Sequence, residues 1–250
     1  MGPLRGLRVG AIPYLNALPL VQGLVGVRYG RPSDHATMLE NGEVDLVAAL
    51  SLGATLSRPE WRVLPSTGVA CDGPVRTVMI LHAGPLGEVR RLAPDSASRT
   101  SNLLARWLVA RQSGQDPSDA SPESAQARVI IGDAAFSHDP GEGTDMGAAW
   151  KEATGLPFVF AGWVAGGALA EDRARLVAID AWLVARLATA RDRLEEIIAT
   201  QSVVPPSVAR SYLTENIHHQ LDERFRAGAD RFATEVAAMG EGGGSIPWAC

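Results

Sequence analysis

Polar residues that follow predicted strands are the first candidates for chemistry in this sequence. Asn16 stands in VGAIPYLNALPL, between a predicted strand at residues 7–11 and a predicted helix that begins at Ala17. An asparagine there can accept bonds from the unpaired backbone N–H groups of a helix start. Turns of this kind also point into the crevice where open α/β sheets bind ligands. Asn16 is therefore compatible with two interpretations, a helix cap and a ligand contact.

A second polar turn, SASRTSN, lies where another predicted strand meets a helix. Its hydroxyls and free backbone N–H groups suit a carboxylate ligand. Simple capping accounts for one of Ser98, Thr100 and Ser101 and leaves the other two unexplained.

Further candidates stand at other strand ends. Ser51 follows the apolar run of VDLVAAL, Thr77 lies in GPVRTV, and Asp133 follows the buried strand in IIGDAAF. Spacing alone favours Asp133 as a helix N-cap. The hydroxyls of Ser51 and Thr77 can instead bond to nearby backbone groups, which is the more common use of such side chains.

Several kinds of chemistry lack their signatures. The sequence contains no GxxxxGK[ST], HExxH or GxSxG motif and no GxGxxG at a strand-to-helix turn. We predict His218 and His219 on a late helix as surface residues, since adjacent positions on a helix face different directions. Cys71 is predicted as a small buried side chain and Cys250 as a tail residue, in no metal-ligand spacing. No metal or organic cofactor is expected.

The composition is that of a globular protein. Of 250 residues, 46% are hydrophobic and 20% are charged, and 28 acidic against 23 basic side chains give a net charge of -5. Without a dense basic block, neither nucleic acid nor an anionic membrane surface is an expected partner. The first twenty residues lack the apolar core of a signal peptide, so we expect a cytoplasmic location. The oligomeric state stays open.

The chain opens with a β-α-β-α-β pattern and then repeats it. Alternation of this kind predicts α/β architecture with mainly parallel sheets. We expect two strands to cross between lobes and the late helices to return to the first lobe. This layout is that of a two-lobed type II periplasmic-binding-protein-like fold with a ligand cleft between the lobes. We expect lobe 1 to comprise residues 1–75 and 166–250, and lobe 2 residues 76–165. The polar segment 112–127 is expected to be a surface loop, and the Gly-rich tail to be poorly packed apart from docking of Trp248.

An ordered set of motifs resembles the chorismate dehydratases of the futalosine route to menaquinone. The set runs from about residue 7 to residue 165 and consists of GAIPYLNALPL, LENGEVDLVAALS, GPVRTVMIL, DSASRTSNLLARWL, IIGDAAF and TGLPFVFAGWVA. The resemblance implies a type II solute-binding fold that has become an enzyme. It also implies a reaction without cofactor, in which chorismate loses water to give 3-[(1-carboxyvinyl)oxy]benzoate.

The resemblance also implies roles for individual residues. Asn16 matches the family's essential asparagine, and Thr77 stands where a serine is expected, which keeps the hydroxyl and adds a methyl group. Thr100 and Ser101, with Ser98 beside them, match a carboxylate cradle. Ser51 and Asp133 are expected to line the cleft. Arg76 and Arg99 can each neutralise a carboxylate of chorismate, and a solvated surface position fits each of them equally well.

Three other functions compete with this one. The related 1,4-dihydroxy-6-naphthoate synthase is disfavoured because IPYLN stands in place of an SPCPND-like opening. A small-anion solute-binding protein without catalysis would need a signal peptide. A transcription regulator would need an N-terminal pair of DNA-binding helices, for which this chain has no room.

Overall fold

The computed structural model describes residues 2–249, apart from the side chain of Arg191; Cys250 lies outside the described residues. The strands are β1 (Val9–Ala11), β2 (Arg28–Tyr29), β3 (Leu46–Ser51), β4 (Arg62–Cys71), β5 (Val78–His82), β6 (Arg91–Ala93), β7 (Ser118–Asp119), β8 (Ala127–Ile131), β9 (Gly143–Asp145), β10 (Phe158–Ala165) and β11 (His218–Gln220). The helices are α1 (Leu18–Val21), α2 (Pro32–Glu40), α3 (Leu52–Thr55), α4 (Arg99–Ser113), α5 (Met146–Thr154), α6 (Gly167–Glu171), α7 (Arg173–Asp192), α8 (Leu194–Thr200), α9 (Pro206–Ser211) and α10 (Glu223–Ala238). None of the described helices combines the length and the apolar character needed to cross a membrane.

The first sheet has the strand order β11-β4-β10-β3-β1-β2. Its first three strands in sequence pair in parallel, as their alternation with helices predicts. The expectation of a mainly parallel sheet is nevertheless wrong, because β10 runs antiparallel to both β3 and β4. This strand enters the first sheet from the second lobe, so its direction is set by the connection between lobes and not by a β-α-β unit.

The second sheet has the strand order β7-β6-β8-β5-β9. It is mixed as well, since β6 pairs in parallel with β7 and β8 whereas β5 is antiparallel to β8 and β9. The edge strand β7 lies within the segment predicted as a surface loop. Its two exposed residues carry no apolar pattern, and only the pairing with β6 makes them a strand.

The two sheets give the chain two α/β lobes with a cleft between them. Residues 72–77 and 155–157 connect the lobes, between β4 and β5 and between α5 and β10. All the strands of the second sheet come from residues 78–145, between these connections. The lobe boundaries at 75/76 and 165/166 stay a prediction.

An aromatic cluster joins the lobes on one side of the connections. Trp150 of α5 packs within 5.0 Å of Trp107 of α4 and 5.2 Å of Phe158 of β10, measured between ring centroids. Phe158 in turn lies 5.0 Å from Phe232 of α10. Because aromatic pairs contribute beyond the area that they bury, this cluster stabilises the contact between α4, α5 and the last helix.

Two expectations for the end of the chain are wrong. His218 and His219 lie on β11 and not on a helix, because this short segment pairs with β4 and has no strong pattern of its own. The Gly-rich tail is packed, since Val63 donates to the Pro247 carbonyl and accepts from Ala249. The docking of Trp248 is confirmed by its indole N–H, which donates to Asp230 at 2.8 Å.

Candidate functional site

The turn that follows β1 carries Asn16 at the edge of the cleft. Leu15–Ala17 forms one turn of 3₁₀-helix, and Ala17 is the residue that precedes α1. Neither helix start has a side-chain cap. The capping interpretation of Asn16 is therefore wrong, and its half-buried side chain lies at the cavity wall instead.

Two distant segments anchor this turn. The Leu15 backbone N–H donates to the Asp133 carboxylate at 3.1 Å, and His219 Nε2 lies 2.7 Å from the Asn16 carbonyl oxygen. The turn therefore depends on contacts that span more than a hundred residues of sequence.

Asp133 does not cap the 3₁₀-helix Gly132–Ser137, as its spacing favours, but accepts the bond from Leu15. Burial raises the pKa of Asp133 above its ordinary value, and the bond from Leu15 opposes this shift. Burial and the charges of Asp95 and Asp133 likewise raise the pKa of Tyr14. Gly132 has φ +62°, and a Cβ there would come within 3.1 Å of the Tyr14 ring. Glycine thus permits both the turn and the close approach of this ring.

Thr77 bonds to a tyrosine in the C-terminal part of the chain. Its hydroxyl lies 2.6 Å from the Tyr212 hydroxyl, and its relative exposure is 0%. Burial is the main cause that raises the pKa of Tyr212 far above its ordinary value, so the phenol is neutral. Thr77 is not among the residues that line the cavity.

The segment before Thr77 is held in an uncommon conformation. Arg76 has φ +69°, in the left-handed region that non-glycine residues rarely adopt. The Asp145 carboxylate accepts bonds from the backbone N–H groups of Val75 and Arg76, the latter at 2.7 Å. The Arg76 guanidinium donates to the His138 carbonyl at 3.1 Å and does not line the cavity.

The start of α4 uses its hydroxyls in two ways. The Ser98 hydroxyl accepts from the Ser101 backbone N–H and lies 2.9 Å from the Ser101 hydroxyl, which makes Ser98 the helix cap. Both serines line the cavity. Arg99 lies outside this cavity and pairs with Glu241 at 3.2 Å.

Thr100 joins α4 to the first lobe. Its hydroxyl donates to the Phe160 carbonyl at 2.9 Å, so it must accept from the Gly53 N–H at 2.8 Å and from the Ser51 hydroxyl at 2.7 Å. The Ser51 hydroxyl oxygen accepts the Thr100 backbone N–H at 2.9 Å. The Thr100 hydroxyl thus has no hydrogen-bonding capacity left for a ligand.

These residues surround a narrow cavity between the lobes, with a volume of about 50 Å³. Its described lining has an apolar part, formed by Ile12, Pro32, Ala49, Val69, Val78, Ala97, Ile131, Phe160 and Ala161, and a polar part, formed by Tyr14, Asn16, Ser51, Ser98, Ser101 and Gly132. No carboxylate or histidine is among these residues. A wider cavity of about 500 Å³ adjoins it, shares Pro32, Ser51 and Ala97, and brings Arg58 and Arg99 to the outer part of the cleft.

Comparison with known sequences assigns the family. A family model described as menaquinone biosynthesis matches residues 7–238. The chain belongs to the menaquinone biosynthesis family. The chorismate dehydratase of Thermus thermophilus is 26% identical over 260 residues, which cover 92% of this chain and 95% of that protein. The chorismate dehydratase of Campylobacter jejuni is 43% identical over 72 residues, which cover 28% of this chain and 26% of that protein.

Solved structures confirm the fold class of this family member. Protein AF1704 from Archaeoglobus fulgidus has a TM-score of 0.65 at 14% identity, over 94% of this chain and 97% of that one. The alkanesulfonate-binding protein SsuA from Xanthomonas axonopodis pv. citri, bound to MOPS, has a TM-score of 0.60 at 16% identity, over 96% of this chain and 95% of that one. At these identities the likeness concerns the two-lobed periplasmic-binding-protein-like fold alone.

Within this family fold, the structure brings together only some of the residues predicted from the sequence. Asn16, Ser51, Ser98 and Ser101 line the narrow cavity. The others lie around it: Asp133 behind the Asn16 turn, Thr77 bonded to Tyr212, Thr100 between the lobes, Arg99 at the wider cavity and Arg76 bonded to the His138 carbonyl outside the cavity.

Sequence reasoning missed His219, which bonds to the Asn16 carbonyl, Tyr212, which bonds to Thr77, and Tyr14, which lines the cavity. Tyr14 stands in the quoted IPYLN motif and was open to detection there. The other two carry no local signal. Among residues 2–249, no group of three or more His, Cys, Asp or Glu side chains could hold a metal ion.

Proposed function

We propose that this protein is a chorismate dehydratase, which eliminates water from chorismate to give 3-[(1-carboxyvinyl)oxy]benzoate in the futalosine route to menaquinone. The observation that carries the proposal is the placement of Asn16 at the interlobe cavity, in a turn anchored by two distant segments. Membership of the menaquinone biosynthesis family and the names of the two relatives support it. The proposed enzyme acts in the cytoplasm.

The proposed reaction removes a ring proton and the neighbouring hydroxyl group, and the ring becomes aromatic. An enzyme for such a step must chiefly orient the substrate and stabilise the charge that develops. Asn16 suits this task because a neutral amide both donates to and accepts from a substrate with two carboxylates and a hydroxyl. Since the described lining of the narrow cavity offers no carboxylate or histidine, we propose that the substrate's own enolpyruvyl carboxylate takes the proton.

The two adjoining cavities fit a substrate with an apolar ring and two charged ends. A space of about 50 Å³ is too small for the whole molecule, so we propose that chorismate extends into the wider cavity of about 500 Å³. The ring would lie against apolar residues such as Ile131 and Phe160. Ser98 and Ser101 at the start of α4 would bind one carboxylate, because a helix N-terminus favours negative charge. Arg99, at the wider cavity, is placed to attract the other.

The remaining candidates receive supporting roles in this proposal. Ser51 and Thr100 would hold the lobes together at the cavity, and Asp133 would fix the backbone of the Asn16 turn. Arg76 would stabilise the connection between the lobes, since its guanidinium bonds to backbone carbonyls.

The test is to incubate the purified protein with chorismate and to separate the products by liquid chromatography with mass detection. We expect a product lighter than chorismate by one water, which co-elutes with authentic 3-[(1-carboxyvinyl)oxy]benzoate. Formation should persist in EDTA, because no metal takes part in the proposed step. Tight binding of chorismate without turnover would instead indicate a small-anion binding protein, and absence of both binding and turnover would exclude chorismate as the ligand.

A further inference from the structure

A cavity of about 340 Å³ lies beside the first sheet and shares no described lining residue with the two interlobe cavities. Its walls are the N-terminal segment up to Val9, the loop of residues 23–27 and helix α7. We propose that this cavity binds a carboxylate with an apolar body, whose charged end pairs with Arg186. The proposal does not depend on the proposed reaction, because it concerns a separate site.

The lining of this cavity is apolar apart from one guanidinium. Leucine and valine side chains of the N-terminal segment and of the loop 23–27 form most of it, together with the ring of Trp182. Arg186 carries the only charge among the described lining residues. Sites for small molecules combine a mostly apolar lining with a few polar groups in this way. Because a planar guanidinium matches the geometry of a carboxylate, this lining favours an apolar carboxylate as the ligand.

The protein compensates the charge of Arg186 poorly. The guanidinium lies 4.7 Å from the centroid of the Trp182 ring and donates to the Gln22 carbonyl, its only hydrogen-bond partner among residues 2–249. Its Nε–H is shielded from solvent and has no partner in that part of the chain. Burial lowers the pKa of Arg186, and no carboxylate offsets this shift. Since a partly buried charge without a counterion is costly, a ligand carboxylate at the outer guanidinium nitrogens would stabilise it.

Contacts within the protein hold the walls of the cavity in place. Arg175, also on α7, donates to the Arg5 carbonyl at 2.7 Å and so fixes the N-terminal segment against this helix. The bond from Arg186 to Gln22 fixes the residue before the loop 23–27 in the same way. A preformed cavity binds its ligand without a large cost of ordering the protein.

Val25 marks the mouth of the cavity. It lines the cavity and is nevertheless 71% exposed, so the apolar surface continues from the interior to the solvent at this point. The apolar body of the ligand would cover Val25 while its carboxylate pairs with Arg186. A charge introduced at Val25 should therefore act on a bound carboxylate.

Binding of octanoate, measured by isothermal titration calorimetry at neutral pH, tests the proposal. We expect saturable binding, with the neutral analogue octanamide weaker by about 10–100-fold, because hydrogen bonds between charged groups are stronger than those of a neutral amide. Arg186→Gln should weaken octanoate by a similar factor and leave octanamide nearly unchanged. Arg173→Gln, at an exposed position of the same helix, is the matched control.

A second pair of variants leaves Arg186 in place. Val25→Glu puts a negative charge at the mouth of the cavity, on an exposed residue that folding does not require. We expect it to weaken octanoate several-fold relative to the neutral variant Val25→Gln, whereas octanamide should bind both variants alike. Because the effect is electrostatic and exposed to solvent, added salt should reduce it. Thermal melting curves establish that each variant is folded.

Several outcomes would overturn the proposal. These are equal affinities for octanoate and octanamide, and an unchanged affinity for octanoate in folded Arg186→Gln. A loss of affinity in Arg99→Gln would place octanoate in the interlobe cleft instead. If Arg186→Gln does not fold, the comparison of Val25→Glu with Val25→Gln decides. Absence of octanoate binding would also overturn the proposal, and a dimer in sedimentation that Val25→Glu dissociates would then identify a second copy of the chain as the occupant.

Discussion

Two turns that face the same cavity are held in opposite ways. In the turn at the start of α4, hydroxyl groups bond mainly to the fold: Ser98 caps the helix, and Thr100 serves three partners in the first lobe. In the turn after β1, residues far away in sequence hold the backbone and leave much of the Asn16 amide at the cavity.

The difference shows how a polar cluster in a sequence can mislead. A run such as SASRTSN offers many hydroxyls, yet a hydroxyl with all its bonds made inside the protein has nothing left for a ligand. A single amide whose backbone is held by distant residues stays available to a ligand and is already oriented. Substitutions in the α4 turn should therefore lower mainly stability, and substitutions in the Asn16 turn mainly activity.

Asn16→Ala is expected to have the largest effect. Removal of one preorganised hydrogen-bonding group from an active site lowers kcat by about 10²–10³-fold. The melting temperature should stay close to that of the wild type, because the backbone anchors at Leu15 and at the Asn16 carbonyl remain. Steady-state kinetics with chorismate and thermal melting measure both quantities, with exposed Asn41→Ala as control. A wild-type kcat in folded Asn16→Ala would contradict our interpretation that the Asn16 turn serves activity and the α4 turn serves stability.

Thr100→Val should show the opposite profile. Valine keeps the shape but deprives the Gly53 N–H, the Phe160 carbonyl and the Ser51 hydroxyl of their shared partner. Because a buried polar group without a partner costs about 1–3 kcal/mol, we expect the free energy of unfolding to fall by roughly 3 kcal/mol. Denaturant unfolding measures this change, and Thr189→Val on an exposed face of α7 is the control. If stability is unchanged while kcat falls by orders of magnitude, the Thr100 hydroxyl acts in the reaction and our description of this turn is wrong.

Ser98→Ala should have a smaller effect of the same kind. Loss of a serine N-cap lowers stability by about 1 kcal/mol. Because the Ser98 hydroxyl also lines the cavity, KM for chorismate should rise while kcat changes little. Ser124→Ala, at an exposed serine, is the control for both measurements. A stability loss with unchanged KM would restrict Ser98 to capping.

The contrast also explains which features were predictable. The apolar run of β3 and the Ser98 cap are local patterns, and both are found close to the predicted positions. The three-residue strand β11 exists only because it pairs with β4, so its residues give no sign of it. His219 is 203 residues beyond Asn16 in sequence, and only the folded chain brings it to the Asn16 carbonyl. Asn16 itself was found through the resemblance to a family, while local chemistry left its role open.

Asp133→Asn tests the anchor of the Asn16 turn and should have the smallest effect. Burial raises the pKa of Asp133 in the folded state, so the folded protein binds this proton more tightly than the unfolded chain does. The stabilisation is fully present below the carboxyl's pKa in the unfolded chain and is lost as pH rises through the higher pKa of the folded state. Asparagine keeps an oxygen for the Leu15 N–H and does not ionise. The wild type should therefore lose stability relative to Asp133→Asn as pH rises from about 4, by less than about 1 kcal/mol because the carboxyl is partly exposed to solvent.

Denaturant unfolding at a series of pH values measures this difference, with exposed Asp119→Asn as the control. Two physical effects compete at Asp133: burial favours the neutral acid, while the bond from the Leu15 N–H favours the carboxylate. A wild type that gains stability relative to Asp133→Asn over the same pH range would mean that the bond outweighs burial. The turn would then be held by a charged anchor, and acidification would weaken the anchor by protonating it.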